Sequence, residues 1–275
     1  MTNVPTITLN NGVKMPQLGF GVFKVPEGEE AYNAVKWALE AGYRGIDTAA
    51  VYKNEVSVGK AIKDSGIPRE ELFITTKVWN DDQGYDETLE AFEKSLERLK
   101  LDYVDLYLIH WPVKGKYKDT WKALEKIYAD KKSRAIGVSN FHIHHLEDLL
   151  ETAKIVPAVD QIELHPTLSQ EKLSTWLKAH DIAVESWGPL GQGSDLKNPV
   201  IVEIGEKYNK SSAQVILKWH LQHGFIVIPK SSHKERIAEN LNVFDFSLSD
   251  EDMEALDKLN TNDRQGTNPD TYDTK

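Results

Sequence analysis

The sequence contains no cysteine. Disulfides, zinc–thiolate sites, iron–sulfur clusters and thiol nucleophiles are therefore excluded. It has no Ser/Gly tract, no long charge block and no low-complexity stretch, so nothing reads as a linker. No apolar run approaches the roughly 18 residues of a membrane span. The first residues, MTNVPTITLNNG, lack the basic region and apolar stretch of a secretory signal. Cations are in the minority: 33 Lys and Arg against 43 Asp and Glu give a net charge of −10. A basic face for a nucleic-acid backbone is not expected, although an acidic average still permits one local basic pocket. These absences lead to the expectation of a cytoplasmic protein with no nucleic-acid or membrane partner.

What is present is ordinary for a globular protein, with 40% hydrophobic and 28% charged residues among 275. Such a length can bury a large core, and α/β barrels reach it as one domain. Residues 1–275 are accordingly read as a single domain. Short strand-like runs recur, each ending in a polar or reactive residue. YRGID (43–47) ends in Asp47, with Tyr52 shortly after. LFITTK (72–77) ends in Lys77 and VDLYLIH (104–110) in His110. RAIGVSN (134–140) ends in Ser139 and Asn140, AVDQ (158–161) in Gln161, AVESW (183–187) in Trp187, and FIVIPK (225–230) in Lys230. In a parallel barrel every strand C-terminus opens on one mouth, so these residues would meet there.

Helical periodicity separates the runs. In 28–41, Ala31, Val35, Ala38 and Leu39 share a face, and Gly42 follows as a C-terminal glycine. Further helices are expected over 54–64, 86–100, 119–131, 143–153, 169–180, 211–222 and 233–242. Ser211 with Gln214, and Ser249 with Asp252, have the spacing of capping boxes. Segments 198–208 and 249–259 read as extra helices without strands of their own. Asn11-Gly12 between alternating runs suggests a type I′ hairpin that would close the bottom of a barrel. With QLGFGVF (17–23) as first strand, the count is about eight strand–helix units, which predicts an α/β fold, a (β/α)8 TIM barrel with an N-terminal β-hairpin and two extra helices. An open doubly wound sheet is the alternative. Its glycine fingerprint is missing: Gly19-Phe20-Gly21 is followed by Lys24, and Gly188 to Gly193 has the wrong spacing.

Asp47, Tyr52, Lys77 and His110 are individually unremarkable, but a barrel brings strands two, three and four together. A phenol has a pKa of about 10 and is a poor acid at neutral pH. An ammonium at ~4 Å favours the phenolate by ~4 kcal/mol, about three pKa units. Asp47 would keep Lys77 charged, and His110 would orient a carbonyl oxygen. The set suits protonation of an oxygen becoming an alkoxide, a step that needs a hydride donor.

The motifs GYRGIDTAAVYKNE (42–55), ITTKVW (74–79), LYLIHWP (106–112), IGVSNF (136–141), VDQIELHP (159–166) and IPKSSHKERIAEN (228–240) stand in the order found in aldo-keto reductases. Over nearly the whole chain the sequence resembles that family, and within it the short bacterial branch that includes 2,5-diketo-D-gluconate and glyoxal or methylglyoxal reductases. The resemblance implies NADPH-dependent reduction of aldehydes or small ketones, with NADH as a weaker donor. It implies Tyr52 as general acid, tuned by Lys77 and Asp47, with His110 at the substrate oxygen. Ser139, Asn140 and Gln161 would hold the nicotinamide carboxamide, which needs donors and acceptors, and Trp187 would stack on the ring. The stretch 188–193, with Gly188, Leu190 and Gln192, would pass over the pyrophosphate. Lys230, Ser231 and Arg236 would grip the 2′-phosphate, with Glu239 and Asn240 at the adenine edge. Phe23, Trp79 and Trp111, after strand ends, are assigned to the substrate rim. A monomer is implied.

Some positions depart from the family pattern. Gly188 stands where many members have Ser, Asp160 where many have Asn, and His233 where several have a cation, so dual cofactor use stays open. A non-catalytic NADPH-binding barrel is the alternative from another class, disfavoured by the complete catalytic set. A metal-dependent hydrolase would need His and carboxylates at several strand ends. His142, His144 and His145 lie just after a strand, at the entry of a helix, without a nearby carboxylate triad; they read as exposed helix-start residues, so no metal is expected. The polar tail 260–275 reads as mobile until ligand arrives, and with loops 113–118 and 189–199 would set substrate choice.

Overall fold

The computed structural model describes residues 4–272. Eight parallel strands follow one another around a sheet: β3 (Phe20–Gly21), β4 (Gly45–Asp47), β5 (Phe73–Val78), β6 (Val104–Ile109), β7 (Ser133–Ser139), β8 (Val159–Glu163), β9 (Ala183–Trp187) and β10 (Ile226–Val227). The first and last edges join through a parallel bridge between Leu18 and Val227, with Gly19 N donating to Val227 O at 2.8 Å. The sheet is thus a closed barrel, as expected. Helices α1 (Glu29–Ala41), α2 (Glu55–Asp64), α3 (Tyr85–Leu99), α4 (Tyr117–Ala129), α5 (Ile143–Leu150), α6 (Glu171–Ala179), α8 (Ser212–Gln222) and α9 (Lys234–Leu241) return the chain between strands or after the last one. The two extra helices are α7 (Pro199–Tyr208) and α10 (Asp250–Asp257). No helix among the described residues is long and apolar enough to cross a membrane.

Strand alternation divides the barrel's contents. Successive side chains face opposite sides of a sheet. Tyr107 and Ile109 of β6 join the large core between strands and helices. Phe73, Leu106, Leu108, Ala135 and Val159 form a second core with Leu9 and Met15 of the N-terminal hairpin. Moving up the same face of β5 and β6 leads from Phe73 to Lys77 and from Leu106 to His110. One alternation thus gives an apolar plug at the hairpin end and reactive groups at the other.

Two local expectations are corrected. The hairpin pairs β1 (Thr6–Thr8) with β2 (Lys14–Pro16), but its turn is not type I′. Gly12 alone has positive φ there, at 85°. Gly12 N donates to Leu9 O and Leu9 N to Val13 O, both at 2.8 Å, which is a three-residue loop with glycine in the left-handed bulge position. Ser211 and Gln214 make the reciprocal capping box. Ser249 makes half of one: its side chain accepts from Asp252 N, while its own N–H goes to the Tyr208 hydroxyl at 2.9 Å.

Candidate active site

Asp47 ends β4 and Lys77 lies one residue from the end of β5, both facing the barrel interior. Lys77 is wholly buried, and its Nζ donates to Asp47 Oδ1 at 2.6 Å and to Thr48 O at 2.9 Å. A buried ammonium keeps its proton only when paired and hydrogen-bonded in this way. Burial is the largest influence on Lys77 and works against the charge. Asp47, Tyr52 and their hydrogen bonding outweigh it and hold the amine above its ordinary range.

Tyr52 lies in a short 3-10 turn after β4. Its ring centroid is 5.1 Å from Lys77 Nζ, 5.7 Å from the His110 ring and 5.1 Å from the Phe23 ring. The four residues picked out in the sequence therefore do converge. The acidified phenol does not result, however. Tyr52 is half-buried as a residue, yet burial dominates its hydroxyl and raises it. The Lys77 charge lowers it, while Asp47 and Glu185 oppose that effect, and the net position is above the usual phenol value. The expectation weighed one charge pair and left out the burial of the hydroxyl, the largest influence, to which Asp47 and Glu185 add.

His110 is buried beside Trp79, with ring centroids 5.1 Å apart and nearly perpendicular. Burial first, and the Lys77 charge second, push its pKa well below the ordinary imidazole value. It is a neutral ring at neutral pH, and its Nδ1 has no partner among the described residues.

The neighbouring strand ends carry the residues expected to hold a carboxamide. Ser139 and Gln161 are paired in register, and Ser139 Oγ donates to Gln161 O at 2.8 Å. Asn140 adopts φ 63°, a strained position for a residue other than glycine. Its Nδ2 donates to His110 O at 2.9 Å, and its Oδ1 accepts from Trp187 Nε1 at 2.8 Å. A hydroxyl and two amides at adjacent strand ends, beside a half-buried indole, fit a flat ring bearing an amide. Leu190 is half-buried against the core and Gln192 is exposed, in a loop of short 3-10 turns starting at Gly188. Gly188 has φ +59° and open space where a side chain would be.

Farther away, Lys230 and Arg236 are exposed around the N-terminus of α9, and Ser231 is buried with Oγ accepting from His233 N at 3.1 Å. Cations, a hydroxyl and a helix N-terminus fit a phosphate. Glu239 is exposed, whereas Asn240 is buried.

Three features go beyond what the sequence reading assigned. Glu185, inside β9, is wholly buried. Gln161 Nε2 donates at 2.9 Å both to Glu185 Oε2 and to Asp47 Oδ2. Burial, and then the Asp47 charge, push Glu185 up to about 8, so it carries a proton at neutral pH. The available signal was parity: Glu185 and Trp187 are two apart on one strand and face the same side. Asp160, by contrast, alternates away from Gln161. Both its oxygens lack partners, and burial holds it well above the usual carboxylate range. The tail is the third feature. Tyr272 stacks on Trp111, centroids 4.6 Å apart, and Asn80 Nδ2 donates to its hydroxyl at 3.4 Å. The aromatic cluster at Trp111 thus has a member from the far end of the chain; residues 273–275 lie outside the described residues. The histidine cluster also gains a carboxylate the sequence hid. His142 Nδ1 lies 2.8 Å from Asp270 Oδ1, and ligand atoms of His144, His145 and Asp270 fall within 4.8 Å. His142 and His145 are half-buried rather than exposed, His145 Nδ1 accepts from His142 N, and Asp270 joins the tail to the cluster.

The Aldo/keto reductase family model matches residues 17–261. The chain belongs to the aldo/keto reductase family. It is an oxidoreductase of that family. A glyoxal reductase of Bacillus subtilis (strain 168) is 62% identical over 265 residues, covering 96% of each chain. Among solved structures, an aldo/keto reductase from Brucella melitensis is 50% identical with a TM-score of 0.91, covering 94% of this chain and 100% of that one. A mutant of Gox0644 solved in complex with NADPH is 45% identical with a TM-score of 0.94, covering 98% and 99%.

Proposed function

We propose that this reductase converts aldehydes and small ketones to alcohols with NADPH, and that glyoxal-type dicarbonyls are the first substrates to test. The observation that carries the reading is the buried Asp47–Lys77 pair beneath Tyr52, opposite a neutral His110. When bound, NADPH supplies a hydride to the carbonyl carbon. Tyr52 gives its proton to the carbonyl oxygen as that oxygen takes on alkoxide charge. Its raised pKa keeps the acid form present throughout the physiological range, and an alkoxide is a far stronger base than a phenolate, so transfer still runs downhill. Lys77 stabilises the phenolate left behind, and Asp47 keeps Lys77 charged and fixed. His110 is a poor proton donor because it holds no extra proton. Its neutral ring is suited to orienting the carbonyl oxygen by a hydrogen bond.

Gln161 connects the chemistry to the cofactor. With both amide hydrogens donated to Asp47 and Glu185, its carbonyl oxygen is left for a carboxamide N–H. Ser139, Asn140 and Trp187 complete that end. Lys230, Ser231 and Arg236 are assigned to the 2′-phosphate, and Phe23, Trp79, Trp111 and Tyr272 to the substrate rim. In this reading one barrel, acting as a monomer in the cytoplasm, carries the whole reaction. The test is absorbance loss of NADPH, with NADH in parallel, across glyoxal, methylglyoxal and a benzaldehyde. Steady consumption is expected, and binding of NADPH without turnover on any of them would sink the reading in favour of a non-catalytic barrel.

A further inference from the structure

Two segments border the mouth beyond the strand ends: the loop 188–198 and the tail 260–272. They meet at one buried imidazole. The Glu163 side chain, at the end of β8, is 1% exposed and that of His165 is 0% exposed. Glu163 Oε1 lies 3.1 Å from His165 Nε2 and accepts from Gln265 N at 2.6 Å. Its Oε2 accepts from Gly266 N at 3.0 Å, and Arg264 Nη1 is 3.4 Å away. On the other side of the imidazole, Nδ1 lies 3.0 Å from Thr167 Oγ1 and 3.3 Å from Asp195 Oδ2. Asp195 belongs to the loop, is buried, and accepts from Thr167 Oγ1 at 2.9 Å and Ser194 Oγ at 3.0 Å. The imidazole therefore sits between a carboxylate that holds the tail and a carboxylate that holds the loop.

Trp187 is part of the same assembly. A Cβ on Gly266 would lie 2.3 Å from Trp187 Cη2 and 2.9 Å from Glu163 Oε2. Tail backbone thus packs directly on the indole edge, at a position only glycine fits. The indole N–H is committed to Asn140, so a shift of the tail is felt at the residues assigned to the nicotinamide.

We propose that His165 is a positioning residue: bridging Glu163 and Asp195, it fastens the tail to the loop and, through Gly266, fixes Trp187, so that both closing segments order as one. The link to cofactor and substrate rests on the function proposed above; the fastening itself does not. Burial disfavours the imidazolium, but the hydrogen bonds and charges of Asp195 and Glu163 outweigh it and hold His165 above the ordinary imidazole range. Burial likewise raises both carboxylates, but their hydrogen bonds, above all those to His165, hold them net below their usual values. The other charged or titratable groups facing the bridge are Arg264 of the tail and His220 of α8, the latter pushed down to about 4, first by burial, and so neutral. A raised folded-state pKa stabilises below the unfolded value and loses that contribution as pH rises through the folded one. The fastening is therefore complete below the ordinary imidazole range and loosens in alkali.

The test is amide hydrogen exchange at Gln265 and Gly266 in the full chain with NADP+ bound, corrected for intrinsic rates, from about pH 6 to about pH 9. In the parent, protection should fall about ten-fold or more across that span. His165→Gln should show low protection at every pH. Its Kd for NADPH and KM for the carbonyl should rise together by about ten-fold, with kcat changed less than about three-fold. Gly266→Ala lies outside the barrel and cannot prevent its folding. It should raise the same two constants and alter Trp fluorescence while the melting temperature stays near the parent's. If His165→Gln fails to fold, Asp195→Asn carries the same exchange measurement. Parent-like protection with parent-like pH dependence in a folded variant would overturn the proposal. Protection behaving as described, in a protein that turns over no carbonyl, would retain the fastening and discard the functional reading.

Discussion

The barrel mouth and the N-terminus of α9 handle charge in opposite ways. At the mouth, Asp47, Lys77, Gln161 and Glu185 are all buried and are linked through Lys77–Asp47, Gln161–Asp47 and Gln161–Glu185 hydrogen bonds. Around α9, Lys230, Arg236 and Glu239 are exposed. The first region has its geometry set by its own hydrogen bonds; the second, in the phosphate-binding role proposed for it, would complete its contacts only with a ligand present. Stabilising a developing alkoxide requires rigid groups in a dry setting, whereas gripping a phosphate requires accessible donors. Changes at the mouth should therefore alter turnover and stability, and changes at α9 should act mainly on affinity.

The largest expected effect tests that separation directly. Tyr52→Phe removes the proposed proton donor while leaving both members of the Asp47–Lys77 pair in place. We expect kcat to fall by about 10²- to 10⁴-fold. The Kd for NADPH, measured by fluorescence titration, should stay within about two-fold. An equal loss of cofactor binding would show that the two regions are not separable.

A second prediction uses pH to isolate the buried set. Glu185 is raised from 4.5 to about 8. Between those values the folded chain holds a proton that the unfolded chain has released, so stability declines as pH rises through the interval and levels off above it. Glu185→Gln cannot titrate. In urea unfolding, the parent should lose about 2–4 kcal/mol relative to this variant across the interval. Equal slopes for the two proteins would place the titration elsewhere.

How far the sequence could be read follows the same division. The barrel was legible because each strand run alternates and ends in a reactive residue, and because helices such as 86–100 show an apolar stripe at helical spacing. Asp47, Tyr52, Lys77 and His110 were found because each lies at or just beyond a strand end. The phenol's acidity was not legible. It depends first on burial of the Tyr52 hydroxyl, with Asp47 and Glu185 adding to it, and burial across the barrel is not set by any neighbour in sequence. Tyr272 and Asp270 were missed for a related reason: a polar tail shows no periodicity, and only the fold brings it to Trp111 and His142. The hairpin turn was misread because Asn-Gly suits two loop types, and the choice between them lies in the φ of Asn11.

The exposed region should respond more modestly. Arg236→Ala removes half of the cation fork assigned to the 2′-phosphate. A charge-assisted hydrogen bond contributes about 1.5–3 kcal/mol, so Kd for NADPH should rise about 10- to 100-fold. NADH binding and kcat at saturation should be unchanged. A matching loss for NADH would mean that Arg236 supports the loop generally rather than reading the phosphate.

The smallest effect concerns a position where this chain carries an uncharged ring instead of a cation. His233 is exposed and precedes α9. His233→Arg adds a third cation beside Lys230 and Arg236. Exposed ion pairs contribute about 0–1 kcal/mol, so NADPH preference over NADH should rise about two- to five-fold. Salt at about 0.5 M should erase most of the gain, because screening acts on exposed charge, while leaving the Tyr52→Phe deficit at the buried mouth unchanged. A small opposing loss of stability is also expected, since a cation at a helix N-terminus is disfavoured by about 0.3–1 kcal/mol. If the preference does not move, the 2′-phosphate lies out of reach of position 233, and Lys230 with Arg236 is the whole of the grip.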